Sequence, residues 1–503
     1  MYEVEMRGIT KTFPGVIADD NVDFFVRPGE IHALMGENGA GKSILMSMLA
    51  GLYQPDAGEI IIRGEKKQFH SPLDAISAGV GMVFQEFQLF GSMSIVENIV
   101  FHEEPVRQGR IDRAQARSKV MAIADKYGLD IDPDMKAHDA PVGILQRAEI
   151  IKALYREAKI LILDEPTAVL TPQETDRLFE VLHTLREDGH TIIFITHKLR
   201  EVMAISDRVT VLRDGKVTAR LETAQTTPEE ISRYMTGRDV DLTMSPATNP
   251  VGDIVLRVRD VEIESERDLE AVRGASLTVR AGEIVGIAGV AGNGQSELAE
   301  AIAGLRPTSK GSIEIAGKDV TRACVRERRQ AGLAYIPENR QGVGSAPTGS
   351  ATENLAMGHH RSAPIRPRRL LNRRAMATFA RDLIERFSVR IAHENVAVGT
   401  LSGGNLQKIL VAREMEHRSP LLIAEQPTRG VDIGAIEFIH RQLTSYRDSG
   451  GGVLLISAEL SEIMSLSTRI LVMYEGRIVA ELPAECATEE KLGLLMAGGK
   501  VGD

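Results

Sequence analysis

The stretch Gly36-Glu37-Asn38-Gly39-Ala40-Gly41-Lys42-Ser43 follows directly on the apolar run Ile31-His32-Ala33-Leu34-Met35. It matches the phosphate-binding loop G-x-x-x-x-G-K-[ST] at every fixed position. Gly36, Gly39 and Gly41 permit the backbone turns that aim N–H groups, with that of Asn38 among them, at phosphate oxygens. A helix starting at Lys42 adds its N-terminal dipole. A lysine placed there meets the β- and γ-phosphates of a nucleotide, and the serine hydroxyl meets Mg²⁺. The stretch therefore predicts a strand, a loop and a helix of an α/β nucleotide-binding fold.

The loop recurs in altered form as Gly289-Val290-Ala291-Gly292-Asn293-Gly294-Gln295-Ser296, with Gln295 in place of the lysine. Positions 36 and 289 lie 253 apart, and other landmarks keep that offset. Pro28-Gly29-Glu30-Ile31 matches Ala281-Gly282-Glu283-Ile284, and Gln85 matches Glu338. Further on the offset is 261: Asp164-Glu165-Pro166-Thr167 matches Glu425-Gln426-Pro427-Thr428, and His197 matches Ala458. Two fixed offsets across many landmarks indicate tandem homologous domains, with a net insertion of 8 residues in the second.

Bulk properties agree. At 503 residues the chain is long enough for two or more domains, and 43% hydrophobic and 26% charged residues are ordinary globular values. No apolar run reaches the roughly 20 residues of a membrane span. The first residues lack the basic and then apolar pattern of a secretory signal. Cys324 and Cys486 are the only cysteines, so neither a disulfide framework nor a zinc site is expected. A net charge of −10 argues against nucleic acid as a partner. Together these features point to the cytoplasm.

Ile160-Leu-Ile-Leu163 and Ile192-Ile-Phe-Ile195 read as central strands covered on both faces. Val209 to Lys216 reads as a strand entering a hairpin turn at Asp214-Gly215. Between Gln85 and Gln146 the pattern turns helical, so a helical insert is expected in each α/β core. Asp164 ends a strand and is placed to hold Mg²⁺, and Glu165 beside it to polarise an attacking water. His197 follows the next strand and is placed to contact the γ-phosphate. Gln85 is a candidate ligand for Mg²⁺ or for the water, and Phe13 a candidate platform for the base.

The phosphate loop, Gln85, Leu163-Asp164-Glu165-Pro166-Thr167 and His197 resemble an ATP-binding cassette. Leu401-Ser402-Gly403-Gly404-Asn405 resembles the family signature L-S-G-G-Q. The resemblance implies two fused P-loop cassettes, 1–240 and 254–503, joined by a linker at 241–253. Thr428-Arg429-Gly430 and Thr196-His197-Lys198-Leu199 are similar to the ATP-binding subunit of bacterial importers for simple sugars. Gly292-Asn293-Gly294-Gln295-Ser296 with Ala424-Glu425-Gln426-Pro427 looks more like the nucleoside-importer branch. Such a subunit is implied to sit peripherally on the cytoplasmic face of the inner membrane. Its implied partners are a membrane permease and an extracytoplasmic solute-binding protein.

In the family each ATP lies between the phosphate loop of one cassette and the signature of the other. The resemblance therefore implies that Ser402, Gly403 and Gly404 complete the site of Lys42. The opposite site would combine Gly289, Gly294, Gln295, Ser296, Glu338, Glu425, Gln426 and Ala458 with a first-half signature reading Ala140-Pro141-Val142-Gly143-Ile144. Gln295 lacks the lysine charge, Gln426 cannot accept a proton as a carboxylate does, and Ala458 replaces the histidine. Glu266 replaces the stacking aromatic. Pro141 removes a serine hydroxyl and one N–H, although proline is tolerated at a first helical position. Glu425 keeps a carboxylate at the Mg²⁺ position. The expectation is one hydrolytic site opposite one degenerate site that at most binds nucleotide. A soluble tandem-cassette factor acting on ribosomes is the rival reading; its usual long charged linker and two intact sites are missing.

The segment from His359-His360-Arg361 to Arg386 is rich in arginine, including Arg366, Arg368, Arg369, Arg373 and Arg374. It reads as a solvated helical face, or as a surface for lipid headgroups or acidic permease loops.

Overall fold

The computed structural model describes residues 2–14, 16–85, 87–167, 170, 172–239, 251–264, 270–290, 292–361, 363, 365–366 and 370–499. The chain divides into two compact units, Met1–Val240 and Asp241–Asp503. Most of the expected linker, 241–250, lies outside the described residues, as do Glu266, Arg368 and Arg369.

In the first unit the apolar runs form the centre of a six-stranded sheet. Its order is Lys216–Glu222, Arg208–Arg213, Ile31–Gly36, Thr191–Ile195, Ile160–Asp164 and Val80–Val83. All neighbours are parallel except the Lys216–Glu222 edge. Every residue of Ile31–Gly36, Ile160–Asp164 and Thr191–Ile195 is buried, as strands covered on both faces require. Alternate side chains serve opposite cores. Ile160, Ile162, Ile193 and Ile195 pack with Leu45, Met46 and Leu49 of the helix Lys42–Leu49 and with Val4, Met6, Phe24 and Ile60. Those last four belong to an antiparallel sheet ordered Val16–Val26, Val4–Phe13, Ala57–Ile62, Glu65–Lys67. Leu161, Leu163, Ile192 and Phe194 face Ile95, Val120 and Ile150 from the insert. The helix after the phosphate loop is thus clamped between two sheets, and the loop opens at the carboxyl ends of the parallel strands, where α/β folds bind ligands.

The turn at Asp214-Gly215 has φ of 49° and 74°, the two left-handed residues of a type I′ hairpin. The insert holds the expected helices Ile95–Val100, Arg113–Tyr127 and Val142–Tyr155, but is not wholly helical. Val106–Arg107 and Arg110–Ile111 pair as a small hairpin around Gln108-Gly109, whose φ of 51° and 76° again make a two-residue turn. Strands of two residues are too short for alternation to declare them.

The second unit repeats the six-stranded order as Arg477–Pro483, Arg469–Tyr474, Ile284–Ala288, Gly452–Ile456, Leu421–Glu425 and Leu333–Ile336. Helix caps locate the extra residues. The N-cap pairs Ser94 and Ser350, Asp112 and Asn372, and Pro141 and Ser402 lie 256, 260 and 261 apart. The insertion is therefore split among three places, all inside the helical insert. The first accompanies a π-helical turn, Arg340–Gly344.

Within the arginine-rich segment, Arg373–Arg386 is a helix. Arg386 pairs with Glu416 at 2.5 Å and Asp382 at 3.0 Å, and Arg381 pairs with Glu394 at 3.2 Å. His359 stacks on His417 with ring centroids 3.8 Å apart. Among the described residues no cluster of His, Cys, Asp and Glu is arranged to hold a metal ion by itself, and no helix is long and apolar enough to cross a membrane.

Candidate active site

Two glycines of the first loop are demanded by geometry. A Cβ on Gly36 would stand 2.4 Å from the Leu212 carbonyl oxygen of the neighbouring strand. Gly41 caps the helix Lys42–Leu49 at φ 102°, a conformation other residues rarely adopt. Lys42 is buried and folds back over its own loop, its Nζ donating to Gly36 O at 2.7 Å and to Glu37 O at 3.0 Å. Burial lowers the Lys42 pKa, against the pull of Glu165, Asp164 and Glu37.

Asp164 ends its strand almost fully buried, and the Ser43 hydroxyl donates to it. Burial raises its pKa, the Ser43 hydrogen bond opposes this, and the Glu165 charge adds to it. Glu165 sits at φ 46°, a strained value for a side chain of this kind. Its carboxylate is held from two sides: His197 Nδ1 lies 2.9 Å from Oε1, and Gln85 Nε2 donates to Oε2 at 3.1 Å. Burial acts to raise the Glu165 pKa, but His197, Lys42 and Lys198 outweigh it and hold the carboxylate below its ordinary value. The structure thus unites Lys42, Ser43, Gln85, Asp164, Glu165 and His197. Phe13 belongs to another element; it ends the strand Val4–Phe13, and its ring meets Tyr53 edge-on at 5.7 Å.

Sequence reading missed the bracket behind these residues. Buried Glu201 accepts from Thr167 Oγ1 at 2.5 Å and from Thr196 Oγ1 at 2.8 Å. It joins the loop after Glu165 to the loop carrying His197. The two threonines flank recognised residues, but only folding brings Glu201, on the following helix, between them.

The second unit keeps the frame with different side chains. A Cβ on Gly294 would stand 2.4 Å from Ala271 O, and one on Gly289 2.1 Å from Gln295 Nε2. Gln295 imitates the lysine's fold with a single bond, Nε2 donating to Val290 O at 3.1 Å. Ser296 hydrogen-bonds to Glu425, as Ser43 does to Asp164. Glu425 also accepts from Tyr335 Oη at 2.7 Å and from Glu338 N at 3.3 Å, and burial raises its pKa. Gln426 retains the strained φ of 46°, but its Oε1 accepts from Ala458 N at 3.0 Å. Glu338 does not imitate Gln85; it is ion-paired with Arg429, whose carbonyl accepts from Arg340.

The signatures differ at their caps. Ser402 caps the helix Gly403–Glu416, its Oγ accepting from Asn405 N, with Asn405 Nδ2 at 3.0 Å. Ser402 and Gly403 are exposed; a Cβ on Gly404 would meet Asp432 Oδ2 at 2.9 Å. Pro141 is the N-cap of Val142–Tyr155 and not its first helical residue, one position earlier than a proline at the first turn requires. It supplies no capping oxygen where Ser402 supplies one, a difference worth about 1 kcal/mol of helix stability. A Cβ on Gly143 would meet Glu174 Oε1 at 2.8 Å.

A parallel α/β sheet, a phosphate loop and a strand-end carboxylate pair define a P-loop nucleotide hydrolase. The family model described as ABC transporter matches residues 20–168 and 272–429, and the chain belongs to that family. It is 48% identical to the guanosine import ATP-binding protein NupO of Bacillus subtilis, covering 99% of this chain and 98% of that protein. It is 45% identical to the glucose import ATP-binding protein TsgD13 of Haloferax volcanii, covering 99% and 96%. It is 42% identical to the nucleoside import ATP-binding protein NupA of Lactococcus lactis, covering 99% of each. The solved structure of cbiO1 from Clostridium perfringens is 27% identical, with 47% of this chain and 95% of that chain covered at a TM-score of 0.40. The ribosome-factor reading finds no support among these full-length relatives.

The hold on Glu165 has a consequence for pH. Activity that needs this carboxylate ionised is lost as pH falls through its folded pKa, which His197 keeps low. In His197→Ala burial is unopposed by the imidazole, so the acid limb of the ATPase–pH profile moves to higher pH. The maximal rate also falls by about tenfold or more. A profile from pH 5 to 8 on the assembled transporter checks both.

Proposed function

We propose that this chain is the ATP-hydrolysing subunit that energises import of a simple sugar or nucleoside, with one competent and one degenerate ATP site. The observation that carries the asymmetry is the contrast between Glu165, hydrogen-bonded to His197 and Gln85, and Gln426, capped on the Ala458 amide. Importer names among full-length relatives support the transport role. An import role calls for a membrane permease and a solute-binding protein as partners, and we place the chain peripherally on the cytoplasmic face of the inner membrane.

In the first site Lys42 and the loop N–H groups bind the β- and γ-phosphates. The Ser43 hydroxyl and the Asp164 carboxylate, which are hydrogen-bonded, would hold a small divalent cation that keeps water and phosphate oxygens, with the Gln85 carboxamide oxygen as a further donor. Bound there, Mg²⁺ would neutralise charge on the transferring phosphoryl group. Glu165 orients the attacking water and accepts its proton as the oxygen bonds to the γ-phosphorus and the bond to ADP breaks. His197 holds Glu165 in place. The replaced groups, Gln295, Gln426 and Ala458, all fall in the second unit.

The solute is tested by assembling the chain with its permease and binding protein and measuring ATPase rates with a panel of sugars and nucleosides. Stimulation of about threefold or more by one class identifies it. No stimulation by any member, with solute-binding protein saturated, removes the import reading.

A further inference from the structure

A buried acid stands behind the first phosphate loop and takes no part in the chemistry above. Asp19, in the strand Val16–Val26, is 0% exposed, and neither carboxyl oxygen has a hydrogen-bond partner among the described residues. Its Oδ1 lies 2.4 Å from where a Cβ on Gly41 would stand, so the carboxyl fills the space behind the residue that opens the helix Lys42–Leu49. The backbone around it is tied together. Asp20 N donates to Gly215 O at 2.8 Å, and Gly215 N donates to Ala40 O at 3.2 Å.

The second unit supplies an internal comparison. Arg273 N donates to Gly476 O at 2.8 Å, and Gly476 N to Asn293 O at 3.1 Å. The residue 253 positions after Asp19 is Val272, also 0% exposed, with Cγ2 3.2 Å from where a Cβ on Gly294 would stand. The same frame thus takes an apolar side chain of nearly the same shape. An unpartnered buried carboxyl costs stability relative to valine, so packing alone does not account for an acid in the unit that keeps the lysine.

We propose that Asp19 is a positioning residue for the first phosphate loop, making the loop's grip on nucleotide phosphate depend on protonation of a carboxyl behind Gly41. This rests on the reading of the Lys42 loop as the phosphate site. As the neutral acid Asp19 fills its place as Val272 does. As the carboxylate it sets a negative charge behind N–H groups that must receive triphosphate oxygens, and opposes binding.

Burial pushes the carboxyl up to about 7, which brings both forms into the physiological range. The charged groups around it are engaged elsewhere. Lys11, opposite it on the neighbouring strand, pairs with Asp56 at 2.8 Å, and Lys216 pairs with Asp20 at 3.0 Å. Lys42 is held by Gly36 O and Glu37 O at 2.7 and 3.0 Å, and Asp214 lies 4.0 Å from Arg213. Linkage is reciprocal: phosphate binding favours the protonated acid, so affinity for ATP falls as pH rises past neutrality.

The test uses the full-length chain, a non-hydrolysable ATP analogue with Mg²⁺, and pH 6 to 8.5. Wild type is compared with Asp19→Val and Asp19→Asn, and with Lys42→Ala as a control. The ratio of wild-type to variant Kd cancels the nucleotide's own titration. It is expected near unity at pH 6 and to rise about threefold or more by pH 8.5. Both variants should also melt above wild type at pH 8, by a margin that shrinks toward pH 5, because an acid with a raised folded pKa costs stability increasingly above its unfolded pKa. A flat Kd ratio, with Lys42→Ala impaired, overturns the proposal alone. Undiminished binding by Lys42→Ala overturns the reading of the site and the proposal with it.

Discussion

Replacing Lys42 with alanine is expected to abolish transporter-coupled ATPase activity, by about 100-fold or more, whereas Gln295→Ala should change it by less than about threefold. The two positions are matched in burial and fold-back, with Lys42 Nζ on Gly36 O and Glu37 O and Gln295 Nε2 on Val290 O. They differ in charge. A buried ammonium can leave its own loop carbonyls for the phosphates and oppose the charge that develops on them; a neutral carboxamide cannot. Steady-state ATPase rates on the two assembled variants decide the matter. A comparable loss in both would sink the one-site reading.

Glu165→Gln is expected to retain ATP binding while slowing hydrolysis about 10²–10⁴-fold, the usual span for a positioned acid–base group. The substitution keeps the shape and one acceptor but removes the carboxylate that His197 and Gln85 hold. The reverse change, Gln426→Glu, should not raise the rate. Position 458 offers only a backbone N–H to that side chain, and Gln295 supplies no charge nearby. Single-turnover kinetics with separate binding measurements distinguish the steps. Restoration of turnover by Gln426→Glu alone would show that the second site lacks one group and not a whole set.

The duplication, both phosphate loops, the strand-end carboxylates and His197 were legible because each rests on local patterns: an eight-residue motif, an apolar strand, a fixed offset. The small hairpin at 106–111 was not, since its strands are two residues long and its turn lies at Gln108-Gly109. The net insertion in the second repeat was visible only as eight additional residues; the helix caps divide it among three places.

Side-chain partnerships lay beyond the sequence for a physical reason. The bond between Glu201 and the two threonines, the pairing of Glu338 with Arg429 and the capture of Gln426 by the Ala458 amide join separate loops. Local propensity carries no information about such contacts. The sequence by itself determined which chemical groups each cassette owns, because a missing lysine, glutamate or histidine cannot be replaced by folding. Only the tertiary structure decided how the remaining groups are used. It removed Asp19 from water beneath Gly41, seated Pro141 at a helix cap and set Glu165 against His197, which lowers its pKa, because burial and through-space contact set the energy of a charge.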